Sequence, residues 1–267
     1  MQFRQKALAK LQSPEELDLP VRYARPQGGL VLAVTVIVMA VAAFWAFTGS
    51  VSSKLSAPGI LTHPQGSYVL QSPVAGQVTQ VYAKEGATLR AGAPVLKVRT
   101  AEGDRAVRAV AAGRVTSLVG KIGSVVTVGA DVASVERVSS AREPVVAMAY
   151  VPSRSAATVP VGATVDLTVQ SVPTQQYGVL RGKVKAVGRA PQSGRQIAAF
   201  LGDRELGEQF TAHGQPVAVL VELERADTKS GYKWSTADGP PNAIGSMTPV
   251  TGAIHLTAQR PIDWLLP

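Results

Sequence analysis

The distribution of apolar positions divides the chain into two regimes. From Leu30 to Phe47 every residue is apolar except Thr35, and Gly28 to Gly49 contains no charge over 22 residues. At about 1.5 Å per residue this stretch spans roughly 33 Å as a helix, enough for one bilayer crossing. A cleaved signal peptide would show an apolar region of about 7–15 residues near its start. Here 27 residues precede the run and Phe44, Trp45 and Phe47 crowd its end, so an uncleaved anchor over 28–49 is expected, with Leu30, Val36, Phe44, Trp45 and Phe47 as its lipid-facing residues. Beyond residue 50 the pattern changes to short alternating runs separated by Gly and Pro, which predicts many short strands.

Those runs repeat. Ala75-Gly76-Gln77-Val78-Thr79-Gln80-Val81 matches Ala112-Gly113-Arg114-Val115-Thr116-Ser117-Leu118. The register holds at a constant offset of 37 residues, from Gly76 to Gly113, Gly86 to Gly123, Gly92 to Gly129 and Val95 to Val132. Neither copy can bury a sheet face alone. The six glycines fall where tight turns are expected, and the two copies should pack together as a flattened β-sandwich with a pseudo-twofold axis.

Composition and charge narrow the chemistry. Cysteine is absent, which removes disulfide scaffolds, iron–sulfur clusters and thiol catalysis. Lys and Arg outnumber Asp and Glu by 27 to 18, a net charge of +9, without a basic cluster interleaved with aromatics, so nucleic acid is not an expected partner. Arg4, Lys6, Lys10, Arg22 and Arg25 precede the apolar run, and only Lys54 follows within the next 30 residues. This asymmetry places residues 1–27 in the cytoplasm and the bulk of the chain outside the cell membrane. Within 1–27, Phe3, Leu8, Leu11 and Leu17 form apolar stripes around Ser13-Pro14-Glu15-Glu16, a helix-start signal; docking on a membrane partner or rest on lipid would both use them.

No Walker motif, dinucleotide fingerprint or Gly-x-Ser-x-Gly elbow is present. Asp203, Glu205 and Glu208 read as a solvated helix face rather than an acid/base pair. His63, His213 and His255 are far apart, and His255 in an alternating strand reads as structural. Neither catalytic residues, nor a cofactor, nor a metal site is expected.

The paired halves resemble the biotinyl/lipoyl carrier fold. Carriers place a modified lysine on the hairpin between halves, but Arg99 to Ala106 contains no lysine, and a guanidinium cannot form the attachment amide. The chain as a whole resembles the HlyD-type periplasmic adaptor, or membrane fusion, family. Pro144–Pro152, Val161–Val169, Tyr177–Val184 and Val217–Leu223 are similar to that family's barrel strands. Ser13–Leu17, Gly231-Tyr232-Lys233-Trp234-Ser235, Gly239-Pro240-Pro241 and Arg260-Pro261-Ile262 resemble the branch serving bacteriocin systems with nitrile-hydratase-like leaders (NHLM), although Thr236-Ala237-Asp238 departs from it. The resemblance implies a non-enzymatic adaptor that partners an ABC exporter, forms homo-oligomers and exports a peptide; an envelope module binding cell-wall polymer, or an adaptor for drug or lipid efflux, is the alternative.

The expected architecture is mainly β, with one transmembrane helix. A carrier-like sandwich occupies 69–138, and a barrel with a short helical insertion near 194–210 occupies 139–244. Segments 50–68 and 245–267 pair as a separate membrane-proximal β module, with Trp264-Leu265-Leu266 either packed on it or dipping into lipid headgroups. The insertion, broken at Gly202, is expected to seal an open barrel end. Family members that reach an outer-membrane channel carry a long helical hairpin between the carrier halves; here only residues 99–106 separate Val98 from Val107.

Overall fold

The computed structural model describes residues 26–48, 50, 52–138 and 143–257. The chain falls into two compact units, residues 1–51 with 259–267, and residues 52–258. In the first unit the described element is one helix, α1 (Pro26–Thr48). Proline suits a helix start because its missing N–H would lack a partner there. Thr35 Oγ1 donates to the Val31 carbonyl at 2.8 Å and Thr48 Oγ1 to the Phe44 carbonyl at 2.7 Å. The hydroxyls are thereby satisfied without water, as an apolar surrounding requires.

The second unit contains fourteen strands: β1 (Lys54–Thr62), β2 (Ser67–Gln71), β3 (Gly76–Val81), β4 (Thr88–Leu89), β5 (Pro94–Thr100), β6 (Gly103–Arg108), β7 (Gly113–Leu118), β8 (Val125–Val126), β9 (Asp131–Glu136), β10 (Val146–Pro152), β11 (Thr164–Val169), β12 (Leu180–Val187), β13 (Pro216–Leu223) and β14 (Pro249–His255). Four short helices join them, α2 (Ser153–Ala156), α3 (Thr174–Tyr177), α4 (Gly194–Leu201) and α5 (Arg204–Thr211).

The repeat becomes two four-stranded sheets, ordered β6-β5-β3-β8 and β2-β9-β7-β4. The 37-residue offset carries β3 and β5 onto β7 and β9, and β2 and β4 onto β6 and β8, and the exchange is reciprocal: β4 from the first half pairs β7 of the second, while β8 from the second pairs β3 of the first. Loop hydrogen bonds recur with the same offset. Gly86 N–H donates to Val115 O at 2.8 Å and Gly123 N–H to Val78 O at 2.8 Å; Gly92 N–H reaches Ala109 O and Gly129 N–H reaches Ser72 O, both at 2.8 Å. The core obeys it too, because Val78 and Val115, Val95 and Val132, and Val98 and Val135 are at most 1% exposed. Burying each such side chain contributes roughly 1.5–3 kcal/mol, a gain neither half could realise alone.

The barrel differs from expectation. Segments 54–62 and 249–255 do pair with each other, from Lys54 opposite His255 to Ile60 opposite Pro249, but not as a separate module. β1 continues onto β10 and β14 onto β11, so both complete a closed six-stranded barrel ordered β1-β10-β13-β12-β11-β14. Ser67 and Tyr68 belong to the carrier sheet rather than to a membrane-proximal element. Inward residues Ala57, Leu61, Ala149, Val151, Leu167 and Val219 form the core with Trp234, whose indole N–H donates to Ser230 Oγ at 2.9 Å.

The helical insertion is a pair, α4 and α5, broken at Gly202, whose left-handed φ of 71° a side chain would strain. Instead of sealing a barrel end, it covers the outer wall. Ile197 and Leu201 pack against Ile60, Tyr150 and Ala218, the outward positions of β1, β10 and β13, and Tyr150 meets Phe210 with ring centroids 4.4 Å apart. Between β5 and β6 lies only a two-residue turn, Ala101-Glu102, and among the described residues after α1 no helix exceeds eight residues.

Two glycines separate close approach from turn strain. A Cβ on Gly76 would lie 2.1 Å from Arg99 O, whereas one on Gly129 meets open space and only the cost of its φ of +82°. Gly129→Ala should therefore cost about 1–2 kcal/mol, and Gly76→Ala about 2 kcal/mol more because backbone must move. Urea unfolding midpoints check this, and equal losses would refute the close approach.

Candidate functional site: the joint between carrier and barrel

The hairpin at which carriers bear their prosthetic group is here a braced, charged turn. Thr100 Oγ1 donates to Gly103 O at 2.8 Å and accepts from Glu102 N–H at 3.2 Å. Asp104 lies 2.9 Å from Lys97 Nζ and 3.1 Å from Arg99 Nε, and these hydrogen bonds hold its carboxyl below the usual range. Every partner is a fixed strand residue. The turn presents charge but offers no attachment point.

The carrier joins the barrel through two chain passages, 62–67 and 136–146, and a buried carboxylate sits where they meet. Glu136, the last residue of β9, is 0% exposed. Its Oε1 lies 2.9 Å from His63 Nδ1 and accepts from the His63 backbone N–H at 3.1 Å and Thr62 Oγ1 at 3.3 Å. Ser246, in the loop leading to β14, donates its hydroxyl to Oε2. Burial alone pushes this carboxyl up; the hydrogen bonds from His63 and Ser246 and the charge of His63 outweigh it and hold the group below its ordinary value. One carrier side chain thus ties together the exit of β1 and the entry to β14.

The helix pair forms a second bridge. Ser134 Oγ donates to the Gly202 carbonyl at 2.7 Å, and Arg204 lies 3.9 Å from Asp131. Ser193 caps α4 with a reciprocal Gln196 bond, and Asp203 caps α5 by accepting from Leu206 N–H at 3.1 Å. Asp203 thus acts as a helix cap, with Glu205 and Glu208 exposed on the same helix.

On the barrel wall Asp166 of β11 meets side chains from β1, β12 and β14. His255 Nε2 lies 2.8 Å and Lys54 Nζ 3.5 Å from Oδ2, while Arg181 contacts Oδ1. Partial burial pushes this carboxyl up, but the His255 hydrogen bond and the charges of Arg181 and Lys54 leave it depressed. The pair His255–Asp166 was not readable from sequence because its partners come from separate strands. Among the described residues no group of three or more His, Cys, Asp or Glu could hold a metal.

The anchor residues Leu30, Val36, Phe44, Trp45 and Phe47 lie along α1 and are 57–69% exposed. By length and composition, Gly28–Thr48 can cross a membrane. Gly76, Gly86, Gly92, Gly113, Gly123 and Gly129 occupy equivalent places in the two carrier halves, five of them with positive φ. Phe3, Leu8, Leu11 and Leu17, and also Trp264–Leu266, lie outside the described residues. Sequence reasoning missed Glu136, Thr62 and Ser246, since a strand-end acid and two hydroxyls carry no pattern.

The fold is a pair of four-stranded sheets inserted, in sequence, between the first two strands of a closed six-stranded barrel. No family model matches the sequence, and no curated protein matches it. Solved structures do. ZneB from Cupriavidus metallidurans aligns with a TM-score of 0.52 at 12% identity, covering 78% of this chain and 100% of that one. A MacA–MexA chimera containing the Pseudomonas aeruginosa MexA α-hairpin domain aligns at 0.52 and 11% identity, covering 79% of this chain and 84% of that one. MacA from Actinobacillus actinomycetemcomitans aligns at 0.50 and 10% identity, covering 79% and 81%. The likeness to all three is one of fold.

Because the Glu136 carboxyl is depressed in the folded chain, its contribution to stability is full above the ordinary carboxylate value of 4.5 and is lost as pH falls through its lower folded value. Glu136→Gln should flatten the acid limb of stability against pH, and Glu136→Ala should cost about 3 kcal/mol by unpairing a buried site. Denaturation series from pH 3 to 7, a range of roughly the carboxylate titration, check both; an acid limb unchanged in Glu136→Gln would count against the joint.

Proposed function

We propose that this chain is a non-catalytic adaptor of the HlyD-type membrane fusion class, anchored by α1, that docks beside an ABC exporter and guides a ribosomally made, bacteriocin-like peptide outward. The observation that carries this reading is the combination of one bare apolar helix with a carrier-like double sheet, inserted between two barrel strands, whose hairpin over residues 99–106 has no lysine. That hairpin cannot carry the carriers' prosthetic group, and a scaffold needs none. Solved adaptors of the same fold support it.

The basic flank before α1 favours an N-terminus in the cytoplasm and β domains outside the inner membrane. With a two-residue turn between β5 and β6, the chain is a short collar that cannot by itself bridge two membranes. The string similarity to the NHLM branch supports a peptide cargo.

Self-association is part of this proposal, and broken symmetry supports it. In the second carrier half Val119, Ile122, Val125 and Val128 are 60–76% exposed. The equivalent positions in the first half are Tyr82, Glu85, Thr88 and Ala91. The fold carries Glu85 and Thr88 where the second half has Ile122 and Val125, so folding does not require apolar residues at those two places. A second copy covering them would bury their surface.

Three outcomes follow. Pull-down in mild detergent recovers an ABC subunit; retention on purified cell wall without one would instead indicate an envelope-binding module. Deleting residues 1–27 abolishes secretion with the β domains still folded, and undiminished secretion would refute docking through that segment. The double variant Ile122→Asp/Val125→Asp shifts the oligomer to monomer in native mass spectrometry with unchanged circular dichroism, and an unshifted oligomer would exclude this face.

A further inference from the structure

The joint also carries an open cavity of about 400 Å³, lined from both β domains. Arg114 reaches it from β7 of the carrier; Arg225, Ser230 and Tyr232 reach it from the loop after β13; His63 belongs to a passage between the domains and Ser246 to the loop leading to β14. Among the described residues neither Arg114 nor Arg225 lies within ion-pair distance of a carboxylate, whereas Lys97, Arg99, Arg181 and Lys233 each have one. Two acids lie near. Glu143 lines the wall and already has an interaction of its own. Glu136 faces its backbone register partner Arg114 across the sheet, but its carboxylate oxygens are taken by Thr62, His63 and Ser246.

The donors suit an anion. Arginine presents a planar fork that grips oxyanions through paired N–H bonds and stays charged at any accessible pH. Tyr232 Oη accepts the Val145 N–H at 3.1 Å, which leaves its own proton to donate. Two guanidiniums facing one concavity with one engaged acid raise the local positive potential, which a small anion relieves. The volume falls at the small end of ligand pockets, roughly 300–1,000 Å³.

We infer that this cavity binds a small multivalent phosphate-type oxyanion, held between Arg114 and Arg225, and that the bound anion fastens the carrier to the barrel. The inference is independent of which cargo is exported. Because its two arginines belong to different domains, occupancy stiffens the joint that Glu136 and His63 already tie. Phosphate chemistry of this kind is offered both by free phosphates and by phosphorylated lipid headgroups.

The test uses the full chain in a neutral detergent with inorganic pyrophosphate as probe. Isothermal titration should give saturable binding, weakened at least tenfold by Arg114→Gln and by Arg225→Gln and unchanged by Arg90→Gln, an exposed arginine that does not line the cavity. Hydrogen exchange over 62–67 and 136–138 should slow with pyrophosphate in the unmodified chain and not in Arg225→Gln. In nanodiscs, weaker pyrophosphate binding with phosphatidate than with phosphatidylcholine alone identifies a headgroup as the natural source; equal binding in both identifies a soluble phosphate. Absence of saturable binding, binding that survives both cavity substitutions, or equal weakening by Arg90→Gln overturns the site.

Discussion

The structure depends on an exchange of short strands between two halves that cannot close their own sheets. Each half lends a two-residue strand to the other, β4 to β7 and β8 to β3, so the hydrophobic faces meet only when both halves are folded. Within each half the backbones also run close. At Gly76 in β3 and Gly113 in β7 a Cβ would collide with the carbonyl oxygens of Arg99 in β5 and Glu136 in β9, at 2.1 and 2.3 Å. An interlocked core of this kind favours cooperative unfolding, because removing one strand uncovers both sheets.

The repeat was legible in sequence; the strand exchange it builds and the surroundings of the carrier were not. Constant spacing between Gly86 and Gly123, and between Gly92 and Gly129, marks equivalent turns without any knowledge of pairing partners. Alternation likewise marks residues 54–62 and 249–255 as strands that can pair. It cannot say that each has a second neighbour, and those second edges, β10 and β11, turn an imagined separate module into barrel staves. The helix pair illustrates the same limit. Its apolar face is visible in Ile197 and Leu201, but the face it covers is made by Ile60, Tyr150 and Ala218 from three strands, each at an outward position. Glu136 was invisible for a different reason: a carboxylate at a strand end looks solvated until the fold brings a histidine and two hydroxyls around it.

These features give a scaffold its mechanics. The interlocked carrier resists opening, the Glu136 cluster and the Ser134–Gly202 bond fix how it leaves the barrel, and β1 with β14 brings Lys54 and His255 side by side on the barrel wall. In the adaptor role proposed above, a chain so arranged would transmit position, as a collar at an exporter's exit must.

The strand exchange can be tested directly because the chain has no cysteine to interfere. Gln77 lies opposite Val125 of the other half, and a disulfide requires Cα atoms about 4.4–6.8 Å apart. In the full-length chain, mild oxidation of Gln77→Cys/Val125→Cys should give an intrachain disulfide by mass spectrometry, whereas Gln77→Cys/Thr88→Cys should remain reduced. A disulfide in the second pair and none in the first would mean that each half keeps its own short strand, and the interlocked carrier would have to be abandoned.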